Sequence, residues 1–253
     1  MSPDLTIDVV LSPVELTEAL IRDRRLVVID VLRATTVIGV ALAAGADRII
    51  PAAGIEEAIA LKSQIGPEGV LLGGEREGRP IPGFDLGNSP AEYRREVVSG
   101  RTIILASTNG SVLLSRCQSA DLVLVAAFNT LGAVARRMAS EGGAWTIVAS
   151  GKLGRPCLED LACAGGLVAR LSPSTDTRSG AIPAALDAAT DGARIARDIF
   201  ERYESDIPGL LGRSAHGRYL VAIGFAGDFG PAGDIDSLDL VPAMIDGRIV
   251  VSG

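Results

Sequence analysis

Residues 27–42, VVIDVLRATTVIGVAL, are apolar nearly throughout, yet they carry Asp30 and Arg33 at their centre and a Thr35, Thr36 pair just after them. A carboxylate at the end of a strand faces outward, and the turn that opens the next helix offers free N–H groups and a positive dipole end. Asp30 would hold a cation there and Arg33 an anion. A plainer alternative is a helix cap by Thr35 with a local Asp–Arg pair. Three further strand ends carry polar groups. Glu75 and Arg76 follow GVLLGG. Ser107, Thr108, Asn109, Gly110 and Ser111 follow TIILA, with hydroxyls and a close-approach turn suited to phosphate, or equally to a turn and cap. Gly151, Lys152, Gly154 and Arg155 follow TIVAS, with Glu159 and Asp160 in the next first helical turn, where the dipole favours acids in any case. The last segment lacks the order of a P-loop.

Between Gly73 and Gly83 the chain places six glycines or prolines, followed by Phe84, Asp85, Leu86, Gly87, Asn88, Ser89 and Pro90. A loop this long is functional or disordered, and the apolar Ile81, Phe84 and Leu86 indicate that it folds down as an active-site loop. Ser89 and Pro90 read as a helix N-cap and first helical residue. The single histidine, His216, excludes multi-histidine metal sites and is read as a surface or capping residue. Carboxylate, hydroxyl, amide and guanidinium remain. Oxygen ligands suit Mg²⁺, and the implied chemistry is metal-assisted phosphoryl transfer or hydrolysis of a small anionic substrate neutralised by Arg and Lys.

The elements that must position these groups are short aliphatic runs alternating with helical patterns. That order predicts an α/β fold, a three-layer α/β/α sandwich with a largely parallel or mixed sheet, whose strands point their carboxyl ends at a common crevice. The whole chain, 1–253, reads as one domain: an alternating core over 1–171, then a helical appendage and closing β hairpin over 172–253. The stretch LSPSTDTRSGAIPA breaks the rhythm, helices are expected from about Ala184 to Tyr203 and around Ile207 to Leu220, and Asp246-Gly247 predicts a hairpin that returns to the sheet or covers its edge.

Hydrophobic residues make up 47% of the chain and aromatics 4%, so the core is aliphatic. A formal charge of −7 without a Lys/Arg run argues against nucleic-acid and anionic-membrane partners. No apolar run approaches the roughly 18 residues of a membrane span, and Asp4, Asp8, Glu15 and Glu18 stand where a leader would be basic and then apolar, so a cytosolic protein is expected. Cys117, Cys157 and Cys163 are read as reduced thiols.

Four motifs, DVLRATT, GGEREGRPIPGFDLGNSP, STNGS and GKLGRPCLEDLACAG, in this order and spacing resemble the 2-phosphosulfolactate phosphatase family, from about residue 5 to the end. The resemblance implies an α/β/α fold, a homodimer, and a Mg²⁺-dependent phosphatase that converts 2-phospho-3-sulfolactate to 3-sulfolactate, a step towards coenzyme M. It implies that Asp30 and Glu75, with Asp85 and Asp160 as further candidates, bind Mg²⁺, while Arg33, Thr35, Thr36 and Asn109 hold phosphate. Arg33, Arg76, Lys152 and Arg155 would supply positive charge. The third motif departs from the family's Thr-Asn-Gly-Thr by ending in Ser111, which keeps the hydroxyl. The looser match around GFAGDFGPAGDIDSLDLVP leaves Asp228 and Asp236 without a role. Asp30 as nucleophile, or Cys157 as a thiolate beside Lys152 and Arg155, are alternatives to attack by water. Action on a different small phosphorylated acid, or binding of phosphate or sulfonate without turnover, are the rival readings.

Overall fold

A computed structural model describes residues 5–172 and 190–253. Aliphatic runs rich in Val, Ile and Leu form its strands: β1 (Thr6–Val10), β2 (Arg25–Ile29), β3 (Arg48–Ala52), β4 (Val70–Arg76), β5 (Arg79–Pro80), β6 (Thr102–Ala106), β7 (Leu122–Ala126), β8 (Ala144–Ala149), β9 (Val241–Ile245) and β10 (Arg248–Ser252). The helices are α1 (Ala34–Ala43), α2 (Ile55–Ile65), α3 (Arg95–Val98), α4 (Gly110–Arg116), α5 (Leu131–Glu141), α6 (Leu158–Leu171), α7 (Asp191–Tyr203), α8 (Ile207–Arg213), α9 (Ala215–Ala222) and α10 (Phe229–Gly233). Residues 173–189, where the break after the core and a helix start near Ala184 were expected, lie outside the described residues. Among the described residues the first appendage helix is α7, capped by Thr190, whose hydroxyl accepts from the Ala193 N–H.

One mixed sheet runs β1-β8-β2-β7-β9-β10-β3-β6-β4-β5. Strands β1, β8, β2 and β7 form one parallel block, and β3, β6 and β4 a second. The closing hairpin β9–β10 turns on Asp246 and Gly247, both at positive φ, as a two-residue Asp-Gly turn requires. It enters the sheet between the blocks rather than covering an edge, pairing antiparallel to β7 on one side and to β3 on the other. Three successive antiparallel pairings reverse direction, so the two parallel blocks run opposite ways. Sheet twist accumulates at roughly 20–25° per strand, and the loops that follow β2 in one block and β6 in the other meet at a single cavity, described below.

Alternation along the strands builds the three layers. On β2, Val27 and Ile29 pack with α5, α6 and α7, while Leu26 and Val28 face α1 and α4. On β6, Ile103 and Leu105 share that second core, whereas Ile104 and Ala106 turn to α2. The appendage is held tightly: a Cβ on Gly165 of α6 would lie 1.9 Å from the Ala196 carbonyl oxygen of α7, so only glycine permits this approach. No helix among the described residues is long and apolar enough to cross a membrane.

Candidate active site

A cavity of about 280 Å³ opens where the carboxyl ends of both blocks meet the appendage. Asp30 ends β2 inside it, 5% exposed. The turn is fixed by its own threonines. Thr35 Oγ1 donates to the Asp30 carbonyl at 2.8 Å and accepts the Asp30 N–H at 3.0 Å, and Thr36 Oγ1 donates to the Val31 carbonyl at 2.8 Å. Both hydroxyls are buried in that work, away from the cavity lining, and the residue at the N-cap of α1 is Arg33 rather than Thr35. Below Asp30 lies Asp160 from the first turn of α6. Its Oδ1 accepts the Val31 N–H at 2.8 Å and its Oδ2 the Gly151 N–H at 2.9 Å, which ties the turn after β2 to the loop after β8. Burial, reinforced by Asp30 and Glu159, pushes the Asp160 carboxyl well above the ordinary range. Burial also raises Asp30, with Glu75 adding to it, against the opposing pull of His216 and the Ala34 N–H. Gly110, at the start of α4, must lack a side chain, because a Cβ there would lie 2.5 Å from Asp30 Oδ2.

From the second block, Glu75 ends β4 and clamps two loops: Oε2 accepts the Gly78 N–H at 2.6 Å and Oε1 the Thr108 N–H at 2.7 Å. Arg33 crosses to the same place. Its guanidinium donates to Asp228 at 2.8 Å and to the Gly78 carbonyl at 2.6 Å, and stacks over Phe225 at 4.4 Å. Arg33 therefore lines the cavity with its charge balanced by a buried carboxylate, and Asp228, given no role by the sequence, is its partner. Ser89 and Pro90 stand, as expected, at the N-cap and in the first turn of a short 3₁₀ helix, Pro90–Glu92, but the Ser89 side chain makes no capping bond; its hydroxyl donates to Asp228 at 2.5 Å. Asp85 lies outside the cavity, where it accepts the Leu72 N–H at 2.8 Å and pairs with Lys62 at 2.9 Å.

Thr108, Asn109 and Lys152 line the cavity. Asn109 Oδ1 accepts the Leu153 N–H at 3.1 Å and so steadies a residue held at φ 51°. Lys152 Nζ sits 4.0 Å from the centre of the Tyr219 ring; burial lowers its pKa while Cys157, Glu75 and Glu159 oppose the shift. Arg76 and Arg155 are exposed and do not line the cavity. Ser111 is buried, donating to the Ala52 carbonyl at 2.7 Å and accepting the Ser107 N–H at 2.7 Å, so its hydroxyl serves the turn. Cys157 is not activated: burial, then Asp160, Glu159 and Asp30, raise its pKa and outweigh Lys152, which keeps it a thiol.

Sequence reasoning passed over three groups. Asn88 and Tyr219 line the cavity, and His216, read as a surface or capping residue, also lines it with Nδ1 3.5 Å from Glu159 Oε1. Asn88 Oδ1, Thr108 Oγ1 and Glu159 Oε2 are buried without a hydrogen-bond partner, a costly state for atoms that no ligand meets. Buried Asp30 and Glu75 line the cavity with Asn88 and Thr108, and Asp160 stands next to Asp30. Hard oxygen donors and surplus negative charge fit a cation such as Mg²⁺.

A family model described as 2-phosphosulpholactate phosphatase matches residues 10–247. The chain is 37% identical over 245 residues to a protein of Thermotoga petrophila, covering 97% of this chain and 98% of that one. It is 39% identical over 250 residues to one of Carboxydothermus hydrogenoformans, covering 98% and 97%. A third, from Clostridium perfringens, is 34% identical over 247 residues, covering 97% and 96%. Each of these relatives is named "Probable 2-phosphosulfolactate phosphatase".

Proposed function

Since the chain belongs to the 2-phosphosulpholactate phosphatase family, we propose that it is a Mg²⁺-dependent phosphatase that hydrolyses 2-phospho-3-sulfolactate to 3-sulfolactate and phosphate. In organisms that make coenzyme M the product lies on the way to it, and the protein acts in the cytoplasm as a homodimer. The observation that carries this reading is the convergence of two buried carboxylates, two basic side chains and two unpartnered polar atoms on one cavity.

Asp30 and Glu75 would hold Mg²⁺, with Asp160 orienting the turn that carries Asp30. Once bound, the ion supplies polarisation of a phosphoryl oxygen and neutralises its charge. Lys152 offers a point charge to the anionic substrate, and Arg33 a guanidinium edge held rigid by Asp228 and Phe225. Thr108 and Asn88 offer the cavity their unpartnered oxygens, the hydroxyl as a donor to a phosphate oxygen and the amide as an acceptor. Asp30, with its raised pKa, can take a proton from an attacking water, and it is also positioned to attack phosphorus itself.

Phosphate release from 2-phosphosulfolactate, phospholactate and phosphoglycerate, each with Mg²⁺ and with EDTA, tests this. Metal-dependent turnover favouring the sulfonated acid is the expected result. Preference for another acid would keep the chemistry and replace the substrate. Binding without turnover of any would overturn the enzymatic reading.

A further inference from the structure

Behind the carboxylates, Cys157, Glu159 and His216 offer one ligand atom each, all within 4.8 Å of one another. Two come from the start of α6 and the third from α9, so the docked appendage completes the cluster. A tetrahedral metal with ligand bonds of roughly 2.0–2.3 Å holds its ligand atoms about 3.5 Å apart, and the Glu159–His216 pair already stands at 3.5 Å. Glu159 is 1% exposed, and its Oε2 is buried with no partner, so the contact with His216 leaves one carboxylate oxygen available as a ligand atom. Around the cysteine, Asp160, Glu159 and Asp30 outnumber Lys152, so the local charge favours a positive ion.

We propose that Cys157, Glu159 and His216 form a separate binding site for a borderline divalent transition metal of the zinc class, with a fourth position open to the cavity that His216 lines. Sulfur and imidazole select such ions over Mg²⁺, which prefers an all-oxygen octahedral shell. Binding forms a metal–sulfur bond as the thiol proton passes to solvent through the cavity. The site does not depend on which phosphorylated acid the enzyme takes, nor on whether it is a phosphatase.

Titration of the intact protein with Co²⁺ alone, followed by absorption, tests the assignment without any activity readout. The expected result is a near-ultraviolet sulfur-to-cobalt band with tetrahedral visible bands, removed by Zn²⁺ and unmoved by excess Mg²⁺. Cys157→Ser should abolish the charge-transfer band, whereas Cys163→Ser, at a buried cysteine outside the cluster, should keep it. His216→Ala, at a partly exposed position suited to substitution should Cys157→Ser fail to fold, should weaken Co²⁺ binding by more than the roughly 10–100-fold that loss of an outer-shell partner costs. A sulfur band surviving in Cys157→Ser, displacement of Co²⁺ by Mg²⁺, or unchanged affinity in His216→Ala would overturn the proposal.

Discussion

The turn after β2 and the loop after β4 both carry acids, yet they treat them differently. In the turn after β2, Asp30 stands over Asp160 with no basic side chain bonded to either, and both pKa values are pushed upward by burial and neighbouring carboxylates. In the loop after β4, Asp85 has Lys62 and a backbone N–H, and although its partial burial works the other way, these hold its pKa below the ordinary value. The lesson is that a satisfied acid is structural, whereas a crowded, buried, unpaired acid is poised for a cation or a proton.

Asp30→Asn should break the contrast most sharply. Mg²⁺-dependent phosphate release should fall by about 10³-fold or more. Stability in EDTA near neutral pH should not fall and should rise. The sign follows from the raised pKa: the folded state retains a proton above pH 3.8 where the unfolded chain has lost it, so the contribution is present at low pH and is lost as pH rises through the folded value. Thermal melts at acidic and neutral pH beside a phosphate assay check both halves. Near-normal turnover, or a neutral-pH melting point well below that of the parent chain, would sink the assignment.

Arg33 and Asp228 test the wall opposite Asp30. Both are buried, so Asp228→Ala strands a guanidinium and should cost about 3–5 kcal/mol in urea unfolding, while the double change with Arg33→Ala should cost less than the sum. Arg33→Ala alone should also raise KM and lower kcat. Additive costs would show that the pair does not act as a unit.

What the sequence disclosed follows from how local each signal is. Aliphatic runs mark strands, and the groups placed directly after them, Asp30, Glu75, Thr108, Asn109 and Lys152, line the cavity. Thr35, Thr36 and Ser111 send the same signal as phosphate-binding hydroxyls but are used by their own turns, since a hydroxyl after a strand serves backbone and ligand equally well. His216, Tyr219 and Asp228 reach the site from far along the chain through the docking of α7 to α10, and no short-range pattern encodes that. The Asp-Gly hairpin was legible as a turn, but its insertion between two opposed blocks depends on partners more than 100 residues away in sequence.

Glu75→Gln lies between the extremes. The amide keeps one acceptor for the N–H groups of Gly78 and Thr108 and turns a donor towards the other. The expected cost is about 1–3 kcal/mol in urea unfolding, with loosening of the Glu77–Gly78 turn visible as faster amide exchange there. An unchanged exchange rate would mean that the clamp is redundant.

Asp85→Ala should have the smallest effect, and it decides whether burial and pairing sort these acids correctly. Asp85 shares the motif-borne expectation of metal binding with Asp30, but its side chain is 40% exposed and its charge is answered by Lys62. Loss of one N–H acceptor and a screened ion pair should cost about 1 kcal/mol or less. Its lowered pKa gives the opposite pH sign to Asp30: the contribution is present above pH 3.8 and is lost as pH falls through the folded value, so the variant and the parent chain should converge in strong acid. Turnover and the Mg²⁺ concentration at half-maximal rate should match the parent chain. A loss of Mg²⁺ affinity in Asp85→Ala would move the metal towards the β4 loop and undo the distinction between the two acidic regions.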